Sequence, residues 1–175
     1  YALSGLPGSL ATLVEQQFFY PYTTSKYINA KEIMITDETL VKLQQYLDQV
    51  LEDKEYISAL DLTGYTNLPS SGNYEWTPHL VAHFASKIGY TIINTTRDYR
   101  YNKILLMSKR LGITQYDQLV YKVLKEEYEG NYHERDVAEF LVQKRLAHSP
   151  KINNEIRMSD LFEFTDLGFM KLKGE

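Results

Sequence analysis

Leu10, Val14, Phe18 and Tyr20 recur 70 positions later as Leu80, Phe84, Ile88 and Tyr90. Thr23-Thr24-x-x-Tyr27-x-x-x-Lys31 recurs 72 positions later as Thr95-Thr96-x-x-Tyr99-x-x-x-Lys103. A second offset, about 76 to 81, links Ile35-Thr36 to Ile113-Thr114, Tyr56 to Tyr132, Leu80 to Leu161 and Gly89-Tyr90 to Gly168-Phe169. Spacing shared over this many positions marks a structural unit of about 75 residues, and a repeat constrains architecture before any motif does. The offsets divide the chain into the tail of one unit (residues 1–35), a complete unit (36–112) and a partial or second complete unit (113–175). Tyr1 is not an initiator methionine and the first unit is cut through its middle, which predicts a piece of a longer protein.

A unit of this size is just large enough to own a core. With 43% hydrophobic and 24% charged residues, the composition is that of a globular chain and not of a disordered one. No apolar run approaches the roughly 18 to 20 residues that span a bilayer, and no basic-then-apolar leader opens the chain. The absence of cysteine excludes disulfides and thiolate metal sites and fits a cytoplasmic setting. Net charge is −4, unevenly placed. Asp37, Glu38, Asp48, Glu52, Asp53, Glu55 and Asp61 face only Lys42 and Lys54 over residues 36–62. Arg97, Arg100, Lys103, Lys109 and Arg110 face only Asp98 over residues 90–110. An acidic chain with one basic stretch suits a localised anionic partner, and equally two solvated faces.

In the complete unit, Thr36 caps a helix that opens on Asp37 and Glu38, and Leu40, Leu43, Leu47, Val50 and Leu51 follow at helical spacing. Ser58 caps a short second helix carrying Leu60 and Leu62, broken around Gly64. Thr77-Pro78 opens a third helix with Leu80, Phe84 and Ile88 on one face and Gly89 as its stop. Residues 90–93 and 104–107 read as strands around a polar tip at residues 96–102. In the last unit Tyr116, Val120 and Leu124 predict a first helix, and His133 to Leu146 a longer second. Met158, Leu161 and Phe162 predict a third helix capped near Ser159, and residues 169–172 the first strand of a hairpin. Ser9 to Phe18 matches a third helix and Tyr20 to Ile35 a hairpin.

Three helices followed by a two-stranded hairpin is the plan of a winged helix-turn-helix, and the chain resembles tandem winged-helix proteins over nearly its whole length. The expected class is therefore α+β and mostly helical. The resemblance implies that the third helix is a recognition helix and the hairpin a wing. Burying Leu80, Phe84 and Ile88 turns His79, Ala82, His83, Ser86 and Lys87 outward toward a major groove. Arg97, Tyr99, Arg100 and Lys103 at the wing interleave basic and aromatic groups suited to phosphate contact. The equivalent faces of the outer units carry Thr12, Glu15 and Gln16, and Asp160 and Glu163, whose acids repel phosphate.

His79 and His83 stand at i and i+4, the spacing of two-histidine metal motifs, but no third ligand falls in register and no glutamate base adjoins them. His133-Glu134-Arg135-Asp136 reads as a helix N-terminus with acids matched to its dipole. Gly5-Leu6-Pro7-Gly8-Ser9 lacks a P-loop lysine and reads as a turn. No nucleophile motif or paired carboxylate is present, so neither an enzyme nor a cofactor is expected. Repeat-position tyrosines (Tyr20, Tyr56, Tyr90, Tyr132) and Trp76 read as packing residues. The expectation is a regulatory or accessory region of a larger intracellular protein that binds duplex DNA through its central unit, as in transcription regulation. Two alternatives stand beside it: a protein-interaction module built from winged helices, and an accessory region of an enzyme whose catalytic domain lies elsewhere.

Overall fold

A computed structural model describes residues 16–23, 25–94 and 104–174. Along the chain run β1 (Phe19–Pro21), β2 (Tyr27–Asn29), α1 (Asp37–Val50), β3 (Tyr56–Ser58), α2 (Pro78–Lys87), β4 (Ile92–Asn94) and β5 (Ile104–Met107). There follow α3 (Tyr116–Glu127), α4 (Glu134–Gln143), α5 (Asn154–Arg157), β6 (Phe162–Phe164) and β7 (Met170–Leu172). The described residues thus mix five α-helices with three small antiparallel sheets, β1-β2, β3-β5-β4 and β6-β7. No helix among them is long and apolar enough to cross a membrane. The helix expected over Ser9 to Phe18 lies largely outside the described residues, and Gln16 to Phe18 at its end form a turn with Gln17 at φ 61°.

The central helices start where their caps stand. Thr36 Oγ1 accepts the Thr39 N–H at 3.1 Å, ahead of Asp37 and Glu38, and Leu43 and Leu47 are fully buried. The second helix is a correction. Ser58 makes no side-chain cap, Gly64 takes φ 80°, and the stretch resolves into two single 3-10 turns, Ala59–Asp61 and Tyr65–Asn67, with Leu60 exposed. Trp76 is buried beside Phe84, and its indole N–H donates to the Pro69 carbonyl at 2.8 Å.

In the last unit His133 Nδ1 accepts the Arg135 N–H at the start of α4. The third helix is not at Ser159. Asn153 Oδ1 accepts the Ile156 N–H at 3.0 Å and starts α5, while the Ser159 hydroxyl donates to Asp117 at 2.7 Å and accepts the Leu161 N–H. Met158 is exposed, and Phe162 lies in β6. Residues 170–172 are consequently the second strand of the hairpin, paired with 162–164, and Gly168 at φ 77° serves its turn where Gly89 ends a helix. The offset read from sequence slips by one strand here because both glycines need a left-handed backbone, for different reasons.

Strand β5 ties the molecule together. Leu106 packs with Leu43, Leu47, Leu80 and Phe84, whereas Leu105 and Met107, on the opposite face, pack with Ile93 and with Leu119, Val123 and Leu141. One sheet is thus buried on both faces, between two cores. Polar contacts close its margin: the Tyr56 hydroxyl donates to the Lys144 carbonyl at 3.0 Å, and Lys122 meets Glu55 at 3.0 Å. The first hairpin docks in the same sense, with Tyr20 and Ile28, a cross-strand pair, turned into the central core. Its trailing segment approaches so closely at Ile33 and Gly72 that a Cβ on Gly72, already at φ 93°, would stand 3.4 Å from backbone atoms of Glu32 and Met34.

Candidate functional site

The sequence assigns recognition to α2 and the wing beyond it. Thr77 Oγ1 accepts the Leu80 N–H at 3.2 Å, and Pro78 occupies the first turn, where its missing N–H costs nothing. Leu80 and Phe84 are buried as expected. Ala82 is not outward: it is 4% exposed, and Val81 and Ala85 are fully buried. The β1-β2 hairpin packs on the side of the helix that carries His83 and Phe84. The Tyr20 ring lies 4.9 Å from the His83 ring and 5.1 Å from Phe84, and the Thr77 hydroxyl donates to the Tyr22 carbonyl at 2.6 Å.

Both α2 histidines are half-buried. Burial, with the Lys87 charge adding, pushes the His83 imidazole down to about 4, and burial lowers His79 as well. Both rings are therefore neutral near pH 7. His83 Nε2 is buried and has no hydrogen-bond partner among the described residues, and the ring centroid stands 4.9 Å from that of Tyr20 and 5.2 Å from that of Phe84. Of the five α2 residues assigned to recognition, only Ser86 and Lys87 are exposed, and the Ser86 hydroxyl is turned back to the His83 carbonyl at 2.6 Å. Among the described residues no group of three or more His, Asp or Glu side chains is placed to hold a metal ion.

Arg97, Tyr99, Arg100 and Lys103 lie outside the described residues. Lys87, Lys109 and Arg110 are exposed and carry no ion pair among the described residues, and Lys109 Nζ stands 4.2 Å over the Tyr90 ring. In the last unit the exposed third-helix residues are Asn154, Glu155 and Arg157, with Arg157 paired to Glu134. Glu163, expected on that helix, lies on β6 opposite Lys171.

A groove absent from the sequence reading runs beside α1. Its volume is about 790 Å³. One wall is Lys42, Gln45 and Gln49 of α1 with Asp53 and Lys54 just past its end, the other the 3-10 segment around Asp61 and Asn67, and Val50, Ile57 and Leu68 form the floor. Between the walls the Tyr46 hydroxyl donates to the Thr63 carbonyl at 2.9 Å, and burial pushes its pKa up to about 12. Along its second wall residues 59–67 form only two single 3-10 turns. Gly64 was the available signal. No family model, curated protein or solved structure matches the chain.

Proposed function

We propose that this chain is a non-enzymatic interaction scaffold of tandem winged-helix modules whose partner is a protein. The winged-helix reading is supported by strand order: the strand after the first helix pairs with the last strand, giving β3-β5-β4, and a bridge from His133 to Phe169 sets the same relation in the last unit. The choice of partner rests on one observation. The α2 face that a winged helix presents to a major groove is occupied by Tyr20 and its hairpin, and the two histidines there are uncharged. With Ala82 buried and both histidines half-buried, only Ser86 and Lys87 of the five stay exposed for base readout, and the Ser86 hydroxyl is bonded to the His83 carbonyl.

Duplex DNA is the second reading, favoured by Lys87, Lys109 and Arg110, which carry no ion pair among the described residues, and by Arg97, Arg100 and Lys103 in the sequence between them. Phosphate contact releases counterions, so affinity would fall with a log-log slope of about −0.9 per phosphate neutralised. Anisotropy titration with a random duplex at two salt concentrations separates the readings. The scaffold is expected to give negligible binding at about 50 mM salt. A slope of about −3 to −4, reduced by about two on neutralising Arg97 and Arg100, would replace the protein partner with DNA.

A further inference from the structure

We infer that the β1-β2 hairpin is an acid-released latch: protonation of His83 frees the hairpin from α2 while the rest of both cores stays folded, uncovering the side of that helix that carries His83 and Phe84. The latch stands whichever partner the chain takes. His83 lies where the two elements meet, its ring 4.9 Å from Tyr20 of β1 and 5.2 Å from Phe84 of its own helix. Its Nε2 is buried and has no hydrogen-bond partner among the described residues.

An imidazolium carries an N–H on both ring nitrogens. Whichever tautomer the neutral ring adopts, the cation would therefore hold a buried N–H at Nε2 with no acceptor among the described residues. The surrounding groups do not relieve it. The hairpin contributes the Tyr20 ring, and α2 contributes Phe84, Lys87 and His79. Burial holds the imidazole down, and Lys87, one turn on, adds a positive charge that opposes the proton. His79, one turn before, is itself lowered by burial and brings no negative charge. Once the hairpin lifts, the ring meets water and titrates near 6.5. The open form takes a proton that the closed form refuses, so acid favours opening.

The hairpin is the piece that can leave. Strands β1 and β2 form a sheet of their own, apart from β3-β5-β4, and a two-stranded hairpin has little stability by itself. It is held by Tyr20 and Ile28 in the central core, by the Thr77 hydroxyl on the Tyr22 carbonyl, and by the Tyr22 ring 5.5 Å from that of Tyr74. Leu43, Leu47, Leu80 and Leu106, all fully buried, come from α1, α2 and β5 and make the centre of that core without it. A hinge follows directly. Past the 3-10 turn Ala30–Glu32 the chain is fixed by the bridge of Ile33 to Gly72 and by the Met34 N–H on the Ser71 carbonyl at 3.1 Å.

The chain has no cysteine, so single thiol reporters test the latch in the whole protein. Ile28→Cys reports the hairpin and Val123→Cys the last core, both positions being buried. Reaction with 4,4′-dithiodipyridine is followed from pH 7 to pH 4.5, each rate divided by that of glutathione at the same pH. The Ile28→Cys chain is expected to react about tenfold or more faster at pH 4.5, while the Val123→Cys chain stays protected. Adding His83→Gln to Ile28→Cys should remove the rise. Amide hydrogen exchange in the unsubstituted chain, corrected for its intrinsic pH dependence, must show the same contrast between residues 19–29 and 119–124, so that loosening by a substitution cannot decide the result. A rise shared by both reporters is global unfolding and overturns the latch. So does protection of residues 19–29 that holds down to pH 4.5, or an acid rise that persists with His83→Gln.

Discussion

At the scale of single residues, Ala82 and His83 carry the main departure from what periodicity suggests. Spacing within α2 tells which side chains face their own core, but it is silent about a neighbour arriving from the other side. Ala82 is 4% exposed, so Ala82→Leu is expected to destabilise by about 1 to 3 kcal/mol through overpacking. A urea midpoint equal to wild type would mean that the core around Ala82 has room for the larger side chain. His83 adds a pH dependence whose sign follows from its environment. Its folded pKa is pushed down to about 4, while the unfolded residue titrates near 6.5. Between those values the unfolded chain binds a proton that the folded chain refuses, so stability is full above about 6.5 and declines as pH falls toward 4. His79, also lowered by burial, acts in the same direction. His83→Gln should flatten this acid limb in urea titrations at pH 7, 5.5 and 4.5, and parallel curves for the two proteins would contradict the assignment.

Elements divide by how their ends are written. Helices α1 and α2 are legible because Thr36 and Thr77 cap them and apolar residues recur at helical spacing, and both caps are made. Their two kinds of contribution differ in size. Phe84→Ala is expected to cost about 2 to 5 kcal/mol, because its ring meets Tyr20 and Trp76 in a filled core. Thr77→Ala should cost only about 1 kcal/mol as a lost cap, somewhat more for the abandoned Tyr22 carbonyl. A reversed order in thermal melts would place the helix's stability in its cap and not its packing. What stayed illegible lacked such signals or carried misleading ones. Ser58 has the chemistry of a cap but precedes a left-handed Gly64, so only single turns form. Asn153, the true cap of α5, stands only six residues before Ser159, and Ser159 was diverted to Asp117 by a contact 42 positions away. The groove could not be read at all, since its walls come from two stretches of the chain, residues 42–54 and 57–69, whose approach no local pattern announces.

For the whole molecule the deciding feature is the cross-strand pair at the middle of each hairpin. In the first hairpin that pair is Tyr20 and Ile28, in the central sheet Ile93 and Leu105, and both are apolar and packed into the following core. In the last hairpin the corresponding pair is Glu163 and Lys171, exposed and of opposite charge, flanked by Phe162, Phe164, Met170 and Leu172 facing inward. Stacking of this kind makes stability a sum of units and the interfaces between them. Here the interface is a strand held in common, because β5 gives Leu106 to one core and Leu105 and Met107 to the other. Neither core closes without it. Unfolding should therefore be a single transition, with the fluorescence of Trp76, which reports the central core, and far-UV ellipticity, to which α3 and α4 contribute, changing at the same urea concentration. Leu105→Ala removes a fully buried side chain and should cost about 2 to 5 kcal/mol. Although Leu105 packs with the last core, the Trp76 midpoint should fall along with the ellipticity midpoint, since losing one side of the sheet loosens the strand that the other side needs. Separate midpoints in the wild-type chain, or a Trp76 transition unmoved by Leu105→Ala, would show two independent units that merely touch.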